Sequence, residues 1–320
     1  MLFEKQIVNF VSGQLQVRQD NPHGIFYFSP EDFPGLRAYE YAFPSSQGHT
    51  LRGFFYCYDN PIPGRVLVFD HGMGNGHRAY MREIECLAKA GYLVFSYDHT
   101  GCMASGGKHI GGFAQSLHDL DDCMKALKAE EALSGYTFSV VGHSWGGFSA
   151  MNIAALHPEI THVVAMSGFV SVELILKQMF KGILGGYVKA LLAAERELNP
   201  GYADFSALES LKNTGAKVLL VYSADDRTVS KAVHYDALHA ALSGRENIRF
   251  LLLNGKDHNP TYADDAVAYK NVFFADYQKG VKKKLLDTPE AQKAFMSRYD
   301  WLRMTEQDET VWQEIFKALL

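Results

Sequence analysis

The strongest indication of the fold is the segment FSVVGHSWGG at residues 138–147 of a chain of 320 residues. Its first four residues form a short apolar run, which is typical of a strand buried on both faces. Helical sequence follows directly over Phe148–Leu156. Between them stands GHSWG at residues 142–146, with a glycine two positions before and two positions after the serine. The pattern predicts a sharp strand-to-helix turn that presents the Ser144 hydroxyl as a nucleophile.

A G-x-S-x-G pattern is weak on its own, since a chain of this length contains one by chance in roughly one case in ten. The alternative is a glycine-rich turn with a bystander serine. The strand–turn–helix context argues against this alternative. A nucleophilic serine also needs a base and an acid that orients the base. In this architecture the order along the chain is serine, acid, histidine, each after a later strand.

Both partners follow later predicted strands. Asp225 and Asp226 come after the strand Lys217–Tyr222, and His258 comes after the strand Arg249–Leu253. Active sites of open α/β sheets assemble at the carboxyl ends of the strands. An acid or a histidine in such a loop is by default a solvated turn residue. The joint occurrence of all three groups in the required order predicts a catalytic site.

The rest of the chain predicts an α/β fold with a mostly parallel central sheet flanked by helices. From residue 65 onward, short apolar runs alternate with helical segments such as 78–90 and 116–130, which is the pattern of βα units. Two antiparallel strands are expected before them, on either side of a turn at residues 44–48. The predicted strands are Arg37–Phe43, Leu51–Tyr58, Arg65–Phe69, Tyr92–Tyr97, Phe138–Val141, His162–Met166, Lys217–Tyr222 and Arg249–Leu253.

Two surplus helical segments extend this alternation. About fifty residues separate the strands that end near Ser167 and begin at Lys217, far more than an ordinary connection. Helical sequence over 172–198 predicts a lid at the carboxyl edge of the sheet. The predicted divisions are an N-terminal helical and loop segment at 1–36 with an amphipathic helix over 3–19, a core at 37–171 and 208–275, a short helical lid at 172–207, and a C-terminal helical extension at 276–320.

Composition excludes several classes of protein. With 47% hydrophobic and 21% charged residues the chain is typical of globular proteins, not of disordered ones. The formal net charge of −5 gives no support to a nucleic-acid partner. No uncharged apolar stretch reaches the roughly 18 residues of a membrane span, so no integral membrane association is expected. Four scattered cysteines and the lack of a signal-peptide pattern over residues 1–20 predict a cytoplasmic protein.

A dinucleotide-binding site is the competing interpretation. Gly72, Gly74 and Gly76 lie between a strand and a helix, and Asp98 ends the next strand. The spacing fails, because G-x-G-x-x-G requires a glycine where this chain has His77. The histidines also show no H-E-x-x-H or comparable spacing. We therefore expect neither a cofactor nor a metal ion.

The motifs resemble those of the α/β-hydrolase superfamily over residues 50–275. The D-x-x-V acid motif of that family matches from Asp226 and not from Asp225, and its G-x-x-H motif ends at His258. The resemblance implies a catalytic triad of Ser144, Asp226 and His258, with Asp225 as the alternative acid. It also implies the α/β-hydrolase fold.

Two upstream loops extend the resemblance. HGMG at 71–74 is similar to the oxyanion loop of the family, which implies that the backbone N–H groups of Met73 and Trp145 hold the oxyanion. DHTGCMAS at 98–105 resembles the D-x-x-G-x-G-x-S loop, except that Met103 stands in place of the second glycine. Because of this departure, the family's local turn and pocket contacts are not carried over to this loop.

The expected function is that of a serine hydrolase. The motif wording and the short lid look most like the branch of monoacylglycerol lipases and lysophospholipases, with which serine aminopeptidases are grouped. Dehalogenases and epoxide hydrolases of the superfamily carry an aspartate at the elbow, so Ser144 implies acyl chemistry. We expect cleavage of a carboxylic ester or thioester of a small or lipid-like substrate. The alternatives are a serine peptidase or aminopeptidase acting on peptide-like substrates, and a non-catalytic ligand-binding protein of the same fold.

The substrate contacts are the least constrained part of the sequence. Apolar lid residues either line a pocket for an acyl chain or pack the lid onto the core. A peptidase that binds a free α-amine would need a carboxylate, and Glu173, Glu195 and Glu197 lie in the lid, although a solvated helix face also explains them. The C-terminal helices leave the oligomeric state open. The candidate substrate-binding residues are His71, Gly72, His143, Met179 and Phe180.

Overall fold

A single sheet of eight strands organises the protein, whose computed structural model describes residues 13, 17–20, 28–74 and 76–320. The strands are β1 (Arg37–Pro44), β2 (Thr50–Cys57), β3 (Arg65–Asp70), β4 (Leu93–Asp98), β5 (Thr137–His143), β6 (His162–Met166), β7 (Lys217–Ser223) and β8 (Ile248–Leu253). Their order across the sheet is β1-β2-β4-β3-β5-β6-β7-β8. The β1–β2 and β2–β4 pairs are antiparallel and all other neighbours are parallel. The predicted mostly parallel sheet, preceded by two antiparallel strands, is confirmed.

Helices cover both faces of this sheet. In the described part of the chain the α-helices are α1 (Met81–Lys89), α2 (Gln115–Ala129), α3 (Trp145–Leu156), α4 (Val172–Met179), α5 (Val188–Leu198), α6 (Ala207–Ser210), α7 (Tyr235–Leu242), α8 (Asp264–Lys282), α9 (Pro289–Met296), α10 (Trp301–Met304) and α11 (Glu309–Ala318). Single 3₁₀ segments occur at Pro30–Asp32, His77–Tyr80, Glu131–Leu133 and Gly182–Tyr187.

Strand β3 shows why its sequence is continuously apolar. Val66 and Val68 belong to the hydrophobic cluster that contains the buried side chains of α2 and α3, whereas Leu67 and Phe69 belong to the cluster that contains those of α1 and α11. All four side chains are at most 1% exposed. Both faces of the sheet are thus buried, which removes the period-two alternation.

The C-terminal helix α11 is part of the core. Its residues Val311, Trp312 and Ile315 are buried against the same cluster as Leu219 of β7. The Asp308 carboxylate caps the helix by accepting the N–H groups at 310 and 311. Complete burial of an apolar side chain such as that of Val311 or Ile315 contributes about 1.5–3 kcal/mol to the stability of the folded state. These residues therefore complete the core.

Helix boundaries differ from the expectation in two places. The helix predicted over 172–198 is divided into α4, the 3₁₀ segment at Gly182–Tyr187 and α5, and Gly182 adopts a left-handed φ of 65° that an α-helix does not accommodate. The boundary predicted after residue 275 falls inside α8. Most of the amphipathic helix predicted over 3–19 lies outside the described residues. The lid assignment of 172–207 stays a prediction.

Candidate active site

Ser144 lies at the junction of β5 and α3, in the strand-to-helix turn that the sequence predicts. Its backbone has φ 56° and ψ −108°, and a left-handed φ is unfavourable for a residue with a side chain. The Ser144 N–H donates to the Met166 carbonyl oxygen of the neighbouring strand β6 across 2.8 Å. This bond holds the residue in its strained conformation, which is typical of functional sites.

The glycines of the turn are required by close contacts with the main chain. A Cβ atom at Gly142 would lie 2.0 Å from the carbonyl oxygen of Gly146. A Cβ atom at Gly146 would lie 2.0 Å from the carbonyl oxygen of Asp70. Both distances are below the 3.0 Å that Cβ atoms keep in practice. The turn therefore excludes any larger residue at these two positions.

Ser144, His258 and Asp226 form a continuous chain of hydrogen bonds. His258 Nε2 lies 2.9 Å from Ser144 Oγ, and His258 Nδ1 lies 2.8 Å from Asp226 Oδ2. The other carboxylate oxygen of Asp226 accepts the N–H groups of Thr228 at 2.8 Å and Val229 at 2.9 Å. The Asp226 side chain is fully buried. This geometry allows the imidazole to accept the Ser144 proton while the carboxylate orients the ring.

The neighbouring Asp225 braces the loop that carries His258. Its carboxylate accepts the Ser223 hydroxyl at 2.6 Å and the Gly255 N–H at 2.8 Å. It also accepts the Asp257 N–H at 3.3 Å. Of the two aspartates that the sequence offers as the acid, Asp225 is thus engaged with the loop, and its neighbour contacts the imidazole.

The loop after β3 approaches the serine closely. A Cβ atom at Gly72 would lie 3.4 Å from the Cβ of Ser144 and 2.3 Å from the Tyr80 hydroxyl. Met73 lines the same cavity as Ser144. Trp145 is the first residue of α3, and the first N–H groups of a helix have no acceptor within it. The structure thus places Met73 at the cavity and Trp145 directly after the serine.

His71 lies behind this loop. It is completely buried, its Nδ1 lies 2.7 Å from the Gly72 carbonyl oxygen, and its Nε2 accepts the His99 N–H at 3.1 Å. Burial and the neighbouring His99 ring lower the pKa of His71 to about 3. The neutral ring uses both nitrogens within the protein, so it fixes the loop and does not face the cavity.

His143 also uses both ring nitrogens within the protein. Nδ1 lies 2.9 Å from the Tyr80 hydroxyl and Nε2 lies 2.7 Å from the His258 carbonyl oxygen. Burial and the His258 ring hold the pKa of His143 well below its usual value. In the neutral ring Nε2–H donates to the carbonyl and Nδ1 accepts from the hydroxyl.

The loop at 98–105 keeps a turn despite the departure at Met103. Met103 adopts a left-handed φ of 42°, a conformation that glycine reaches without steric cost. The Arg18 guanidinium donates to the carbonyl oxygens of Met103 at 3.0 Å and Ser105 at 3.1 Å. Gln19 adds two backbone hydrogen bonds, to Gly101 and Met103. These contacts hold the turn at the position where the family has a glycine.

A cavity of about 220 Å³ opens at Ser144 and His258. Two of the predicted substrate contacts, Gly72 and His143, line it. The two predicted lid contacts are not among its lining residues: Met179 is 54% exposed to solvent, and Phe180 packs against the core. The lining residues that the sequence analysis missed are Ala79, Tyr80, Asn259, Tyr262, Lys270 and Phe274.

Part of this missed wall comes from α8. Lys270 and Phe274 are four residues apart on this helix, so they share a face. Asn259 and Tyr262 lie just after His258 in the chain. This spacing is a usable signal for a cavity wall, but only the packing of α8 shows which of its faces meets the cavity.

The three carboxylates of the predicted lid are not among the lining residues of the cavity. Glu195 is 3% exposed, and one of its oxygens accepts the N–H groups of Phe113 at 2.9 Å and Ala114 at 3.2 Å. Burial raises the pKa of Glu195 to about 7. Glu173 is half exposed and Glu197 is exposed. A solvated helix face thus describes these two residues but not Glu195.

The described residues contain neither a candidate metal-binding cluster nor a candidate membrane-spanning helix. Within that part of the chain, no group of three or more histidine, cysteine or acidic residues is placed to hold a metal ion. No helix in the same part of the chain has the length and apolar character needed to cross a membrane.

Comparison with known proteins gives partial matches in sequence. A family model described as serine aminopeptidase, S33, matches residues 61–202, a segment that contains Ser144. The chain is 29% identical over 126 residues to a monoglyceride lipase homolog of monkeypox virus, covering 38% of this chain and 45% of that protein. It is 29% identical over 99 residues to an epoxide hydrolase of Caballeronia sordidicola, covering 30% and 28%. The alignments thus span less than half the length of these curated relatives.

The match in structure is longer. An esterase from Pyrococcus furiosus superposes with a TM-score of 0.59 at 20% identity, over 88% of this chain and 98% of that one. This chain has the α/β-hydrolase fold. The α/β-hydrolase fold explains why Ser144, Asp226 and His258 meet although they are far apart in sequence. Each follows a parallel strand, and these strands end at the same edge of the sheet.

Proposed function

We propose that this protein is a serine hydrolase that cleaves a carboxylic ester or thioester of a small substrate through an acyl-enzyme on Ser144. The observation that carries the proposal is the hydrogen-bonded chain from Asp226 through His258 to Ser144, which ends at a cavity. A ligand-binding protein of the same fold would not require these three groups to be aligned.

In the proposed reaction Ser144 Oγ attacks the substrate carbonyl carbon while His258 Nε2 takes the hydroxyl proton. Asp226 holds the ring and stabilises the imidazolium as it forms. The backbone N–H groups of Met73 and Trp145 stabilise the tetrahedral oxyanion, and one such donor contributes about 3–4 kcal/mol in well-studied enzymes. The bond from the carbonyl carbon to the leaving oxygen or sulfur breaks as His258 returns the proton to that atom.

Water completes the cycle. His258 takes a proton from a water molecule, whose oxygen attacks the acyl-enzyme carbonyl carbon. The second tetrahedral intermediate collapses, the ester bond to Ser144 breaks, and His258 returns the proton to Oγ. The products are a carboxylic acid and an alcohol or thiol. Each step uses groups of this chain, the substrate and water.

The size of the cavity supports a small substrate. Its volume of about 220 Å³ is below the roughly 300–1,000 Å³ of pockets that enclose drug-sized ligands. Its apolar wall includes Met73, Ala79 and Phe274. A short acyl group fits this space better than a long lipid chain does.

An aminopeptidase is the second candidate, because the matching family model carries that description. A peptidase that binds a free α-amine needs a carboxylate near the nucleophile. The described residues that line the cavity include no aspartate or glutamate, and they include the cation Lys270. The buried Glu195 instead binds backbone N–H groups. These observations favour an ester or thioester over an aminoacyl amide.

Labelling with a fluorophosphonate probe tests the nucleophile. We expect the wild type to label and the Ser144→Ala variant not to label. The substrate is tested with 4-nitrophenyl esters of increasing chain length beside aminoacyl 4-nitroanilides. We expect the highest kcat/KM for short acyl chains and little turnover of the anilides.

Two results would contradict the proposal. A wild type that does not label, or a Ser144→Ala variant that labels equally well, would exclude a Ser144 nucleophile. Faster turnover of the anilides than of every ester would replace the esterase with the aminopeptidase.

A further inference from the structure

Lys270 brings a cation into the cavity that contains Ser144 and His258. Its Nζ lies 4.8 Å from the centroid of the Tyr262 ring and 5.8 Å from that of Phe274. It also donates a hydrogen bond to Asn259 Oδ1. The triad and the oxyanion N–H groups do not need this side chain for ester cleavage. Its position at the cavity therefore points to the substrate.

Burial and the neighbouring negative charges act on the Lys270 ammonium in opposite directions. Burial lowers the pKa of Lys270 to about 8, although the negative charges of Glu83 and Asp257 act in the opposite direction. The other titratable groups of the cavity are Tyr80, Tyr262, His143 and His258. An anion that enters this cavity would stabilise the half-buried ammonium, because opposite charges attract more strongly where burial weakens the screening by water.

The connection through Asn259 places the ammonium near the reaction centre. Asn259 directly follows His258, whose Nε2 lies 2.9 Å from Ser144 Oγ. In a cavity of about 220 Å³, only a few bonds separate a group held by Lys270 from the carbonyl carbon that Ser144 attacks. Among the described residues that line the cavity, Lys270 is the one lysine or arginine. A single positive charge suits a singly charged carboxylate better than a doubly charged phosphate, which is usually held by several donors.

We propose that the substrate is a small ester that also carries a carboxylate, which Lys270 binds while Ser144 attacks the ester carbonyl. This inference rests on the proposed serine hydrolase function and specifies its substrate class. A monoester of a short dicarboxylic acid has the required groups. Lys270 then selects the substrate and takes no part in proton transfer.

The test compares esters that differ only in the charged group. Mono-4-nitrophenyl glutarate and 4-nitrophenyl valerate have acyl chains of the same length and the same leaving group. After subtraction of the spontaneous rates, we expect kcat/KM of the wild type to be about 10- to 100-fold higher for the glutarate. The Lys270→Met variant should lose this preference, so that its kcat/KM values for the glutarate and the valerate become about equal. The Lys270→Arg variant, which retains the charge, should keep part of the preference.

Further esters locate the carboxylate. The monoesters of succinate and adipate vary its distance from the carbonyl carbon, and 4-acetoxybenzoate beside phenyl acetate places it on the leaving group. A preference for the anionic member of any pair that disappears in Lys270→Met supports the proposal. The proposal is wrong if the wild type prefers the anionic member of no pair, or if Lys270→Met lowers the rates on both members equally.

A binding measurement separates this proposal from the proposed reaction. Calorimetry on the Ser144→Ala variant should show binding of monophenyl glutarate that is lost when Lys270→Met is added. Such binding without any esterase activity in the wild type would overturn the reaction and keep the anion site. Hydrolysis of neutral esters without any preference for charge would overturn the anion site alone.

Discussion

His143 is joined to the main chain of His258, since its Nε2–H donates to the His258 carbonyl oxygen across 2.7 Å. The centroids of the two rings are 4.9 Å apart. His143 also precedes Ser144 in the chain, so one residue links the turn of the proposed nucleophile to the loop of the proposed base. The distance between hydroxyl and imidazole thus depends on a position that the G-x-S-x-G pattern leaves unspecified.

Replacing His143 tests this link. In His143→Phe the donor to the His258 carbonyl is lost, and we expect kcat for a short 4-nitrophenyl ester to fall about 10- to 100-fold, because small displacements of a catalytic group are costly. His143→Gln is the matched control, since its amide N–H can reach the same carbonyl, and it should retain most of the activity. Equal losses in both variants, or a loss confined to KM, would contradict a positioning role.

The two aspartates after β7 provide a second matched pair. Asp226→Asn removes the charge that orients His258, and we expect kcat to fall about 10⁴-fold, as found for the equivalent change in serine proteases. Asp225→Asn keeps an oxygen that can accept from the Ser223 hydroxyl and the Gly255 N–H. Because one weakened hydrogen bond costs about 1 kcal/mol, kcat should fall by about tenfold at most. Steady-state kinetics of both variants measures this difference. A larger loss in Asp225→Asn would reverse the assignment of the acid.

Much of the fold and the positions of the hydrogen-bonded triad could be predicted because they depend on local patterns. An apolar run such as 138–141 indicates a buried strand. The glycines at 142 and 146, where an added Cβ would lie 2.0 Å from a main-chain oxygen, are recognisable from their spacing around Ser144. Both signals come from contacts within one or two consecutive elements.

The cavity wall was harder to predict because it depends on contacts between distant elements. Met179 belongs to an apolar helical pattern, yet the 3₁₀ segment at Gly182–Tyr187 interrupts the helix and Met179 is 54% exposed. From the sequence alone, Lys270 is indistinguishable from the other lysines of a solvated helix surface. Its place at the cavity depends on the packing of α8 beside the loop of His258. The sequence likewise predicts a solvated Glu195, although this residue is buried and accepts the backbone N–H of Phe113, which is distant in the chain.

Gly72 offers a test of the loop after β3. In Gly72→Ala the new Cβ would lie 2.3 Å from the Tyr80 hydroxyl oxygen but an ordinary 3.4 Å from Ser144 Cβ. We therefore expect Gly72→Ala to lower the free energy of unfolding by about 1–3 kcal/mol, as overpacking does, and Tyr80→Phe to recover part of this loss. Urea denaturation of the single and double variants measures the coupling. Strict additivity would show that the hydroxyl is not the obstacle.

Glu195 predicts a pH dependence of stability. Burial raises its pKa to about 7 from 4.5, so between these values the folded protein binds more protons at this residue than the unfolded chain does. The stability contributed by the protonated form is therefore present at low pH and is lost as the pH rises through this window. Glu195→Gln keeps an acceptor for the N–H groups of Phe113 and Ala114 but does not titrate.

The measurement is urea denaturation of wild type and Glu195→Gln at several pH values from 4.5 to 7.5. We expect the stability of the wild type relative to the variant to fall by up to about 3 kcal/mol as the pH rises. Glu83, whose pKa burial also raises to about 7, is present in both proteins, so its contribution cancels in the difference. A difference that stays constant or increases with pH would mean that the carboxylate is already ionised at low pH. The hydrogen bonds from the N–H groups of Phe113 and Ala114 to Glu195 of α5 would then be accepted by an ionised carboxylate.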